Sequence, residues 1–417
     1  MRAIAARFFP LLVLAALGFL AALASVGCGI QPRPWGEIVI APGQAIGIGL
    51  TIDADSELTG TIVTGSAQRL AAEAGAIHGH AVELVPVSMH CQATTAAGIL
   101  LPVEALRRIA GLLGPPCSRA CVYAEGLLYD MRTTMIAPAC TAAAVVEQGF
   151  PVVFRLAWND RDQGTIAAEY AAGPLGIKRA VVVRDSSVFA RSLSIAFTRA
   201  LRSRGLPAPS PARSIDISSA GQIDSDGLVR SIRNAGGDGI FLAVDRPDVM
   251  ELYARLRREF PTTPLVTADT ILAEPLCLAD TAIDRADLGS RAPGTPALQC
   301  PAVATPGKAY VAAGVTRHNG GWMSELDAGA GATLFIDQQV DAVRIYAAAL
   351  AKVGRPRSDG SLIVPRQALR DAIARARLNG LSGRIDFDAS GERRHDVGVA
   401  IYQIGDHEAT LVRRMYH

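Results

Sequence analysis

Two hydroxyl side chains, Ser118 and Thr141, each stand where an apolar run ends and a helix-like pattern begins. In parallel α/β folds, ligands bind at the carboxyl ends of strands, where helix N-termini offer free N–H groups. A hydroxyl beside such N–H groups is suited to a carboxylate, which it would hold by a charge-assisted hydrogen bond. The alternative is that both residues only cap their helices, as Ser and Thr commonly do.

Two carboxylates end later strand-like runs. Asp245 follows the run GIFLAV, and Asp269 closes the run PLVTA. A carboxylate at a strand end faces the ligand-binding edge of a parallel sheet and is suited to an ammonium group. Because a helix-like segment follows each of them, an N-cap or a place in a loop is the alternative.

Signatures of catalysis and of metal binding are missing. The sequence has no G-x-x-x-x-G-K-[ST], no G-x-S-x-G and no H-E-x-x-H. Gly47-Ile-Gly49 lacks the third glycine of a dinucleotide loop, and His78-Gly-His80 supplies too few ligands for a metal site. We therefore predict no catalytic residue, no metal, no cofactor and no enzymatic activity.

The seven cysteines fit an oxidising compartment. With Cys28 set aside as a lipidation site, an even number remains, namely Cys91, Cys117, Cys121, Cys140, Cys277 and Cys300. An even number in an exported chain favours three disulfides, although spacing alone leaves their pairing open. Zinc is disfavoured because no C-x-x-C pair occurs.

Residues 1–27 are typical of an export signal. Two arginines precede an apolar, uncharged stretch over residues 8–24, and small residues precede Cys28. The pattern is similar to a bacterial lipobox, in which the cysteine is lipidated, with Ser25 in place of the usual leucine. The alternative is an uncleaved transmembrane anchor. Either alternative predicts an exported protein held on the extracytoplasmic face of the cell membrane, and lipidation would make residues 28–44 a lipid-anchored tether and hairpin.

Composition bounds the fold and the partners. Half of the 417 residues are hydrophobic, 19% are charged, 5% are aromatic and the formal net charge is +2. This length suits two α/β lobes rather than one ordinary domain. The balanced charge gives no basis for a nucleic-acid partner.

Continuous apolar runs alternate with helical patterns, which is typical of parallel sheets covered on both faces. The rhythm restarts after residues 154–158, so we predict an α/β fold of two Rossmann-like lobes with parallel sheets, joined by a multi-strand hinge. Residues 37–51 are predicted to form a hairpin. The predicted segments are 45–155 and 301–380 for lobe 1, and 156–300 and 381–417 for lobe 2, with an excursion at 277–300.

Several ordered motifs resemble those of the type I periplasmic solute-binding proteins of ABC transporters, in the leucine/isoleucine/valine-binding family. They are Cys117-Ser118, Ile136-Ala-Pro-Ala-Cys-Thr141, Val153-Phe-Arg155 with Asn159-Asp160 and Gln163-Gly164, and Gly383-Arg-Ile-Asp-Phe-Asp388 with Gly391. The likeness covers about residues 45–415, and it implies the periplasmic binding protein type I fold.

The resemblance also implies roles for single residues. Ser118, the backbone of Ala139 and Thr141 match positions that hold the α-carboxylate of an amino acid, and Asp269 matches the acid that meets the ammonium. Phe189 matches one aromatic ligand contact. At the second aromatic position this chain has Asp245, and Ser88 stands where the family has an acid. Two acids suit a cationic or polar side chain better than a leucine-like one.

The family joins its corner cysteines, which supports Cys91–Cys117; proximity in the chain then gives Cys121–Cys140 and Cys277–Cys300. The resemblance implies a monomeric binding protein that captures an amino acid, or a similar small carboxylate or amide, between its lobes. It would deliver this solute to ABC transporter permease subunits, with the membrane reached through the lipid anchor. The alternative function is a ligand-sensing receptor domain of the same fold without transport.

Overall fold

The structure is a computed structural model that describes several stretches of the chain. They are residues 35–53, 74–91, 109–218, 221–246, 248–272, 308–318, 321–323, 335–404 and 409–416. Several predicted features lie outside the described residues: the export signal at 1–27, Cys28 with the tether up to residue 34, and the excursion at 277–300 with Cys277 and Cys300.

The first part of the body builds a mostly parallel sheet. Its described elements are β1 (Glu37–Ile40), β2 (Ile46–Asp53), β3 (Ala76–Ile77), β4 (His80–Met89), β5 (Gly111–Leu113), α1 (Ser118–Asp130), β6 (Thr134–Ala137), α2 (Ala144–Glu147) and β7 (Val153–Arg155). The strand order is β3-β4-β2-β5-β6-β7, and only β3 and β4 pair antiparallel. The first six residues of β2 are all buried, as expected for a central strand covered on both faces.

The hairpin predicted at residues 37–51 is wrong. β1 pairs antiparallel with Leu362–Pro365 (β15), far along the chain, and not with β2. The reason is that β2 is already flanked by β4 and β5, while Ile38 and Ile40 bury themselves in the core of the first lobe. The turn at Pro42-Gly43 therefore carries the chain from one sheet into another.

The chain then builds a second sheet. The described elements are α3 (Asp160–Ala172), β8 (Ala180–Arg184), α4 (Val188–Ser203), β9 (Ser214–Asp216), α5 (Ser225–Ala235), β10 (Gly239–Ala243), α6 (Val249–Glu259), β11 (Leu265–Ala268), β12 (Ala309–His318) and β13 (Gly321–Met323). Five strands lie in the order β9-β8-β10-β11-β12 and are parallel, and β13 pairs antiparallel with β12.

The last part of the chain contributes to both lobes. The described elements are α7 (Ile336–Val353), β14 (Arg355–Pro356), β15, α8 (Arg366–Ala374), β16 (Leu378–Gly380), β17 (Gly383–Ile385), β18 (Val397–Ile404) and β19 (Ala409–Tyr416). α7 lies against the first sheet, where the Tyr346 hydroxyl is 3.0 Å from the Leu112 carbonyl and 2.8 Å from that of Thr134. β18 and β19 extend the second sheet beyond β12 in antiparallel fashion. The second sheet is therefore mixed at this edge, which the prediction of parallel sheets missed.

Two predicted lobe boundaries are wrong. The sequence assigns residues 301–380 to lobe 1, but β12 pairs in parallel with β11 of the second sheet. In the same way, Ile385 and Phe387 belong to the first-lobe core although the sequence assigns residues 381–417 to lobe 2. The crossings between lobes therefore lie between β13 and α7, and between Phe387 and β18.

Each sheet buries its own apolar side chains. One core lies against the first sheet and includes Ile48, Phe154 and Tyr346. The second sheet has a core on each face, one around Leu242 and one around Phe197. Among the described residues, no helix combines the length and the apolar character that a membrane crossing requires.

Candidate functional site

The corners that carry Ser118 and Thr141 lie at the same edge of the first sheet. They follow β5 and β6, which are parallel neighbours with Leu113 opposite Ile136. The Ser118 hydroxyl accepts a hydrogen bond of 3.1 Å from the backbone N–H of Ala142, in the second corner. Ser118 and Thr141 are both buried. The sheet thus brings the two predicted ligand hydroxyls together.

Neither hydroxyl is in an N-cap position. The N-cap of α1 is Cys117, whose side chain makes no capping bond, and the N-cap of α2 is Ala143. Ser118 is the first residue of its helix, and it bonds to the neighbouring corner and not to its own helix. The capping alternative therefore does not describe these two residues.

Two disulfides cross-link these corners. Cys91–Cys117 ties the segment after β4 to the corner before α1, and Cys121–Cys140 ties α1 to the corner after β6. Both pairs match the sequence prediction, and both lie within the first lobe. They fix the backbone on either side of Ser118.

Arg155 donates hydrogen bonds to the backbone of the Thr141 corner. Its side chain is fully buried at the end of β7 and donates hydrogen bonds to the carbonyls of Thr141 (2.9 Å) and Ala142 (2.7 Å). The same guanidinium pairs with Glu392, with Nε 2.9 Å from Oε1. Arg155 therefore connects the predicted ligand corner to the last crossing between the lobes. The sequence gives no indication of this partner, which lies 237 residues away.

Three aspartates mark the corresponding edge of the second sheet. Asp185, Asp245 and Asp269 follow β8, β10 and β11, which are neighbours in the sheet. The backbone N–H of Asp245 donates to the Asp185 carboxylate at 2.7 Å, and Ser187 N–H donates to the same carboxylate at 2.8 Å. Asp245 caps no helix, since the N-cap of α6 is Asp248. Asp185 is a member of this group that the sequence analysis missed.

Asp245 and Asp269 of the second lobe have pKa values above the usual range of a carboxyl group. Burial, and then the charge of Asp185, raises the pKa of Asp245 to about 7, with Arg119 acting in the opposite direction. Burial also raises the pKa of Asp269 to about 6, although hydrogen bonding from Gln163 opposes it. Both groups are therefore placed where an added positive charge would be stabilised.

Asp160 lies between the two sets of corners. It is the first residue of α3 and is fully buried. Neither carboxylate oxygen has a well-aligned hydrogen-bond donor among the described residues. Burial raises the pKa of Asp160 well above its usual value; the nearby Thr141 hydroxyl lowers that pKa, and the charges of Asp269 and Asp245 raise it further. Asp160 therefore lies near Thr141 of the first lobe and near two acids of the second.

Phe189 and Ala139, the other two predicted ligand residues, lie in packed surroundings. Phe189, at the start of α4, is buried in one core of the second lobe. Ala139 packs against the cluster that includes Trp158 and Phe335. Ser88 is exposed near the end of β4.

The histidine turn is not a metal site in the described structure. A ring nitrogen of His78 is 3.0 Å from the Ala351 carbonyl, and one of His80 is 2.8 Å from the Gln44 carbonyl. Within the stretches that the structure describes, no group of three or more His, Cys, Asp or Glu side chains could hold a metal ion.

A separate groove of about 530 Å³ lies between α2, α3 and α4. Its lining includes Glu147, Arg161 and Arg191, and none of the six predicted ligand residues. It is therefore distinct from the edge where the strands of the two sheets end.

A family model described as periplasmic binding protein matches residues 55–408 of this chain. The chain belongs to the periplasmic binding protein family. This membership agrees with the two-sheet architecture and with the motifs that the sequence displays, and it confirms the predicted family.

Curated relatives of this periplasmic binding protein match over part of their length. An amino acid binding protein of Pseudomonas aeruginosa is 23% identical over 203 residues, covering 49% of this chain and 53% of the relative. A Leu/Ile/Val-binding protein of Escherichia coli K12 is 24% identical over 185 residues, covering 44% and 48%. The alignments therefore span about half the length of these relatives.

Solved structures match over nearly their whole length. A leucine binding protein from Thermotoga maritima superposes with a TM-score of 0.66 at 17% identity, covering 89% of this chain and 99% of that one. A solute binding protein of an ABC transporter from Rhodopseudomonas palustris, in complex with 3,4-dihydroxybenzoic acid, gives 0.65 at 13% identity, covering 89% and 97%. These likenesses confirm the predicted type I fold.

Proposed function

We propose that this periplasmic binding protein captures an amino acid, or a similar small carboxylate or amide, between its two lobes. The observation that carries the proposal is the opposition of the two strand edges. Hydroxyls and helix N–H groups stand on the first lobe, at Ser118 and Thr141, and carboxylates stand on the second, at Asp245 and Asp269. A zwitterion presents one charge to each of these edges.

The first lobe would hold the α-carboxylate. The Ser118 oxygen already accepts from Ala142 N–H, so its own hydroxyl hydrogen is available to donate to a ligand oxygen. The backbone of Ala139 and the side chain of Thr141 complete this half of the site in our proposal. Arg155 holds the backbone of that corner, through the Thr141 carbonyl.

The second lobe would hold the ammonium, with Asp269 as its acceptor and Phe189 beside the ligand. A solute that bridges both lobes binds the closed arrangement better than the open one and therefore shifts the population towards closure. Closure would then favour docking on an ABC permease. Nothing in this mechanism makes or breaks a covalent bond.

Ser118→Ala should weaken binding of the solute by about 10- to 100-fold, because a hydrogen bond to a charged group is lost. Asp269→Asn should weaken it by at least about 30-fold, because the ammonium loses its charged partner. A thermal-shift screen of the amino acids with the full chain identifies the solute, and calorimetry then measures the affinities.

Ser231→Ala is the matched control for these variants. Its hydroxyl is exposed on α5 and bonds only to the Gly227 carbonyl of the same helix. Wild-type affinity in both Ser118→Ala and Asp269→Asn, with melting temperatures unchanged, would eliminate the proposed site.

Cys28→Ser tests the proposed lipid anchor. If lipidation at Cys28 holds the protein on the membrane, the variant should move from the membrane fraction to the soluble exported fraction, as measured by immunoblotting after fractionation. Continued retention of the variant in the membrane would indicate an uncleaved N-terminal anchor instead.

A further inference from the structure

We infer that the solute carries a second positive charge, on its side chain, in addition to its α-ammonium. The solute class is therefore a basic amino acid with an amino or guanidino side chain. This inference rests on the proposed function, and it deepens that proposal by naming what the second lobe selects.

The strand register places three carboxylates together. Ala243 of β10 pairs with Arg184 of β8, and Leu242 of β10 pairs with Thr267 of β11. Asp185, Asp245 and Asp269 come one or two residues beyond these pairs, on adjacent strands. Because neighbouring strands are about 4.8 Å apart, the three acids occupy one small area at the end of the sheet.

The three acids differ in how they are already bonded. The Asp185 carboxylate accepts two backbone N–H groups, those of Ser187 and Asp245. Asp269 lies by Gln163 and Trp158, both of which lower its pKa. On the Asp245 carboxylate, the largest favourable influence from the described residues is the charge of Arg119 and not a hydrogen bond. Asp245 is thus the acid that a ligand cation would meet.

The buried acid Asp160, close to this group, provides a second observation that does not depend on the strand register. Asp160 belongs to a helix and not to a strand end, and its side chain is fully buried. Neither oxygen has a well-aligned donor in the described part of the chain, and the nearby Thr141 hydroxyl only partly offsets the effect of burial on its pKa. It interacts electrostatically with both Asp245 and Asp269, so it faces the same space. A buried carboxylate without a donor is costly unless something positive approaches it.

Among the described residues, the negative charges that act on Asp245 outnumber the positive ones. The charges that act on Asp245 are those of Asp185, Asp269 and Asp53, which are negative, and that of Arg119, which is positive. Arg155 also acts on Asp160, but its guanidinium is engaged by Glu392 and the Thr141 corner. A solute with a net charge of zero would leave this excess unchanged, whereas a basic amino acid would reduce it.

An aliphatic side chain fits this area poorly. It would displace water from Asp245 without replacing the lost hydrogen bonds, and burying an unpaired charge is unfavourable. An ammonium or guanidinium group supplies both the charge and the donors. The chemistry of the area therefore separates basic amino acids from leucine-like ones.

Calorimetry of the full chain with matched solutes tests the inference. L-arginine and L-lysine should bind at least about 10-fold more tightly than L-citrulline and L-norleucine, which have similar shapes without the side-chain charge. Asp245→Asn should remove most of that difference. Asp216→Asn should leave it unchanged, because Asp216 is an exposed acid on β9 that pairs with Arg184.

The outcomes separate this inference from the proposed function. If L-citrulline, L-norleucine or L-leucine binds as tightly as L-arginine or more tightly, the inference of a second positive charge is wrong. The proposed capture of an amino acid is then still supported. Binding of agmatine, which lacks the carboxylate, as tightly as L-arginine would support the acidic area and overturn capture through Ser118 and Thr141. Binding of none of these solutes would overturn both.

Discussion

Arg155→Met is expected to lower the free energy of unfolding by about 3–5 kcal/mol, which is the usual cost of removing one partner of a buried ion pair. The substitution leaves the Glu392 carboxylate without its cation and leaves the carbonyls of Thr141 and Ala142 without their side-chain donor. Methionine fills similar space with an apolar side chain, so loss of packing is a minor part of the effect. Urea unfolding followed by circular dichroism measures the change.

Glu392→Gln is the control for this substitution. It removes the negative charge but keeps an oxygen that can accept from Arg155, and the guanidinium keeps its bonds to the Thr141 and Ala142 carbonyls. We expect it to cost less than Arg155→Met. If Arg155→Met gives too little folded protein, Arg155→Lys provides the measurement, since it keeps the charge and loses the fork of donors. A change below about 1 kcal/mol in Arg155→Met, within the range of exposed pairs, would contradict the central role of this residue.

Gly164→Ala is expected to destabilise the protein by about 1–3 kcal/mol through overpacking. Gly164 lies where α3 and α4 approach most closely, and a Cβ there would be 2.5 Å from the Leu193 carbonyl oxygen and 3.0 Å from the Phe197 nitrogen. Both are backbone atoms of α4, so a rotamer change cannot relieve the contact and the helix has to move. Thermal unfolding and urea unfolding measure the loss.

Gly126→Ala is the matched control, because it makes the same change in another helix. A Cβ at Gly126 would meet only the Phe150 ring, at 3.9 Å. Alanine is the better helix former, so this variant should be stabilised by about 0.5–1 kcal/mol. Equal effects of the two substitutions would show that helix propensity, and not the close approach of α3 to α4, governs Gly164.

The centre of each sheet could be predicted from the sequence because its strands are buried on both faces. The run GIFLAV at β10 is apolar at every position, so a strand with one face in water would expose apolar side chains, and the pattern predicts a strand covered on both faces. β12 was not predicted because three of its ten residues are alanine and one is glycine, and both have low strand propensity. Its Gly314 is required by packing, since a Cβ there would overlap the Trp158 ring.

The candidate site could be predicted only where a residue stands at a strand end. Ser118, Thr141, Asp245 and Asp269 are predicted in this way, because parallel strands bring their carboxyl ends to one edge, and their contact with a solute stays a prediction. The roles of Arg155 and Asp160 depend on partners that the chain brings together from distant segments, such as Glu392 for Arg155. No local pattern carries that information.

The two cystines of the first lobe have a consequence for when the protein becomes able to bind. Cys91–Cys117 and Cys121–Cys140 fix the corners that carry the proposed carboxylate contacts, and neither of them links the two lobes. These two cystines would therefore not restrain the closure proposed above, whereas the geometry of the corners depends on them. Such bonds do not persist in the reducing cytoplasm. We therefore expect the newly made chain to bind amino acids weakly inside the cell and to bind them fully only after export, when the disulfides have formed.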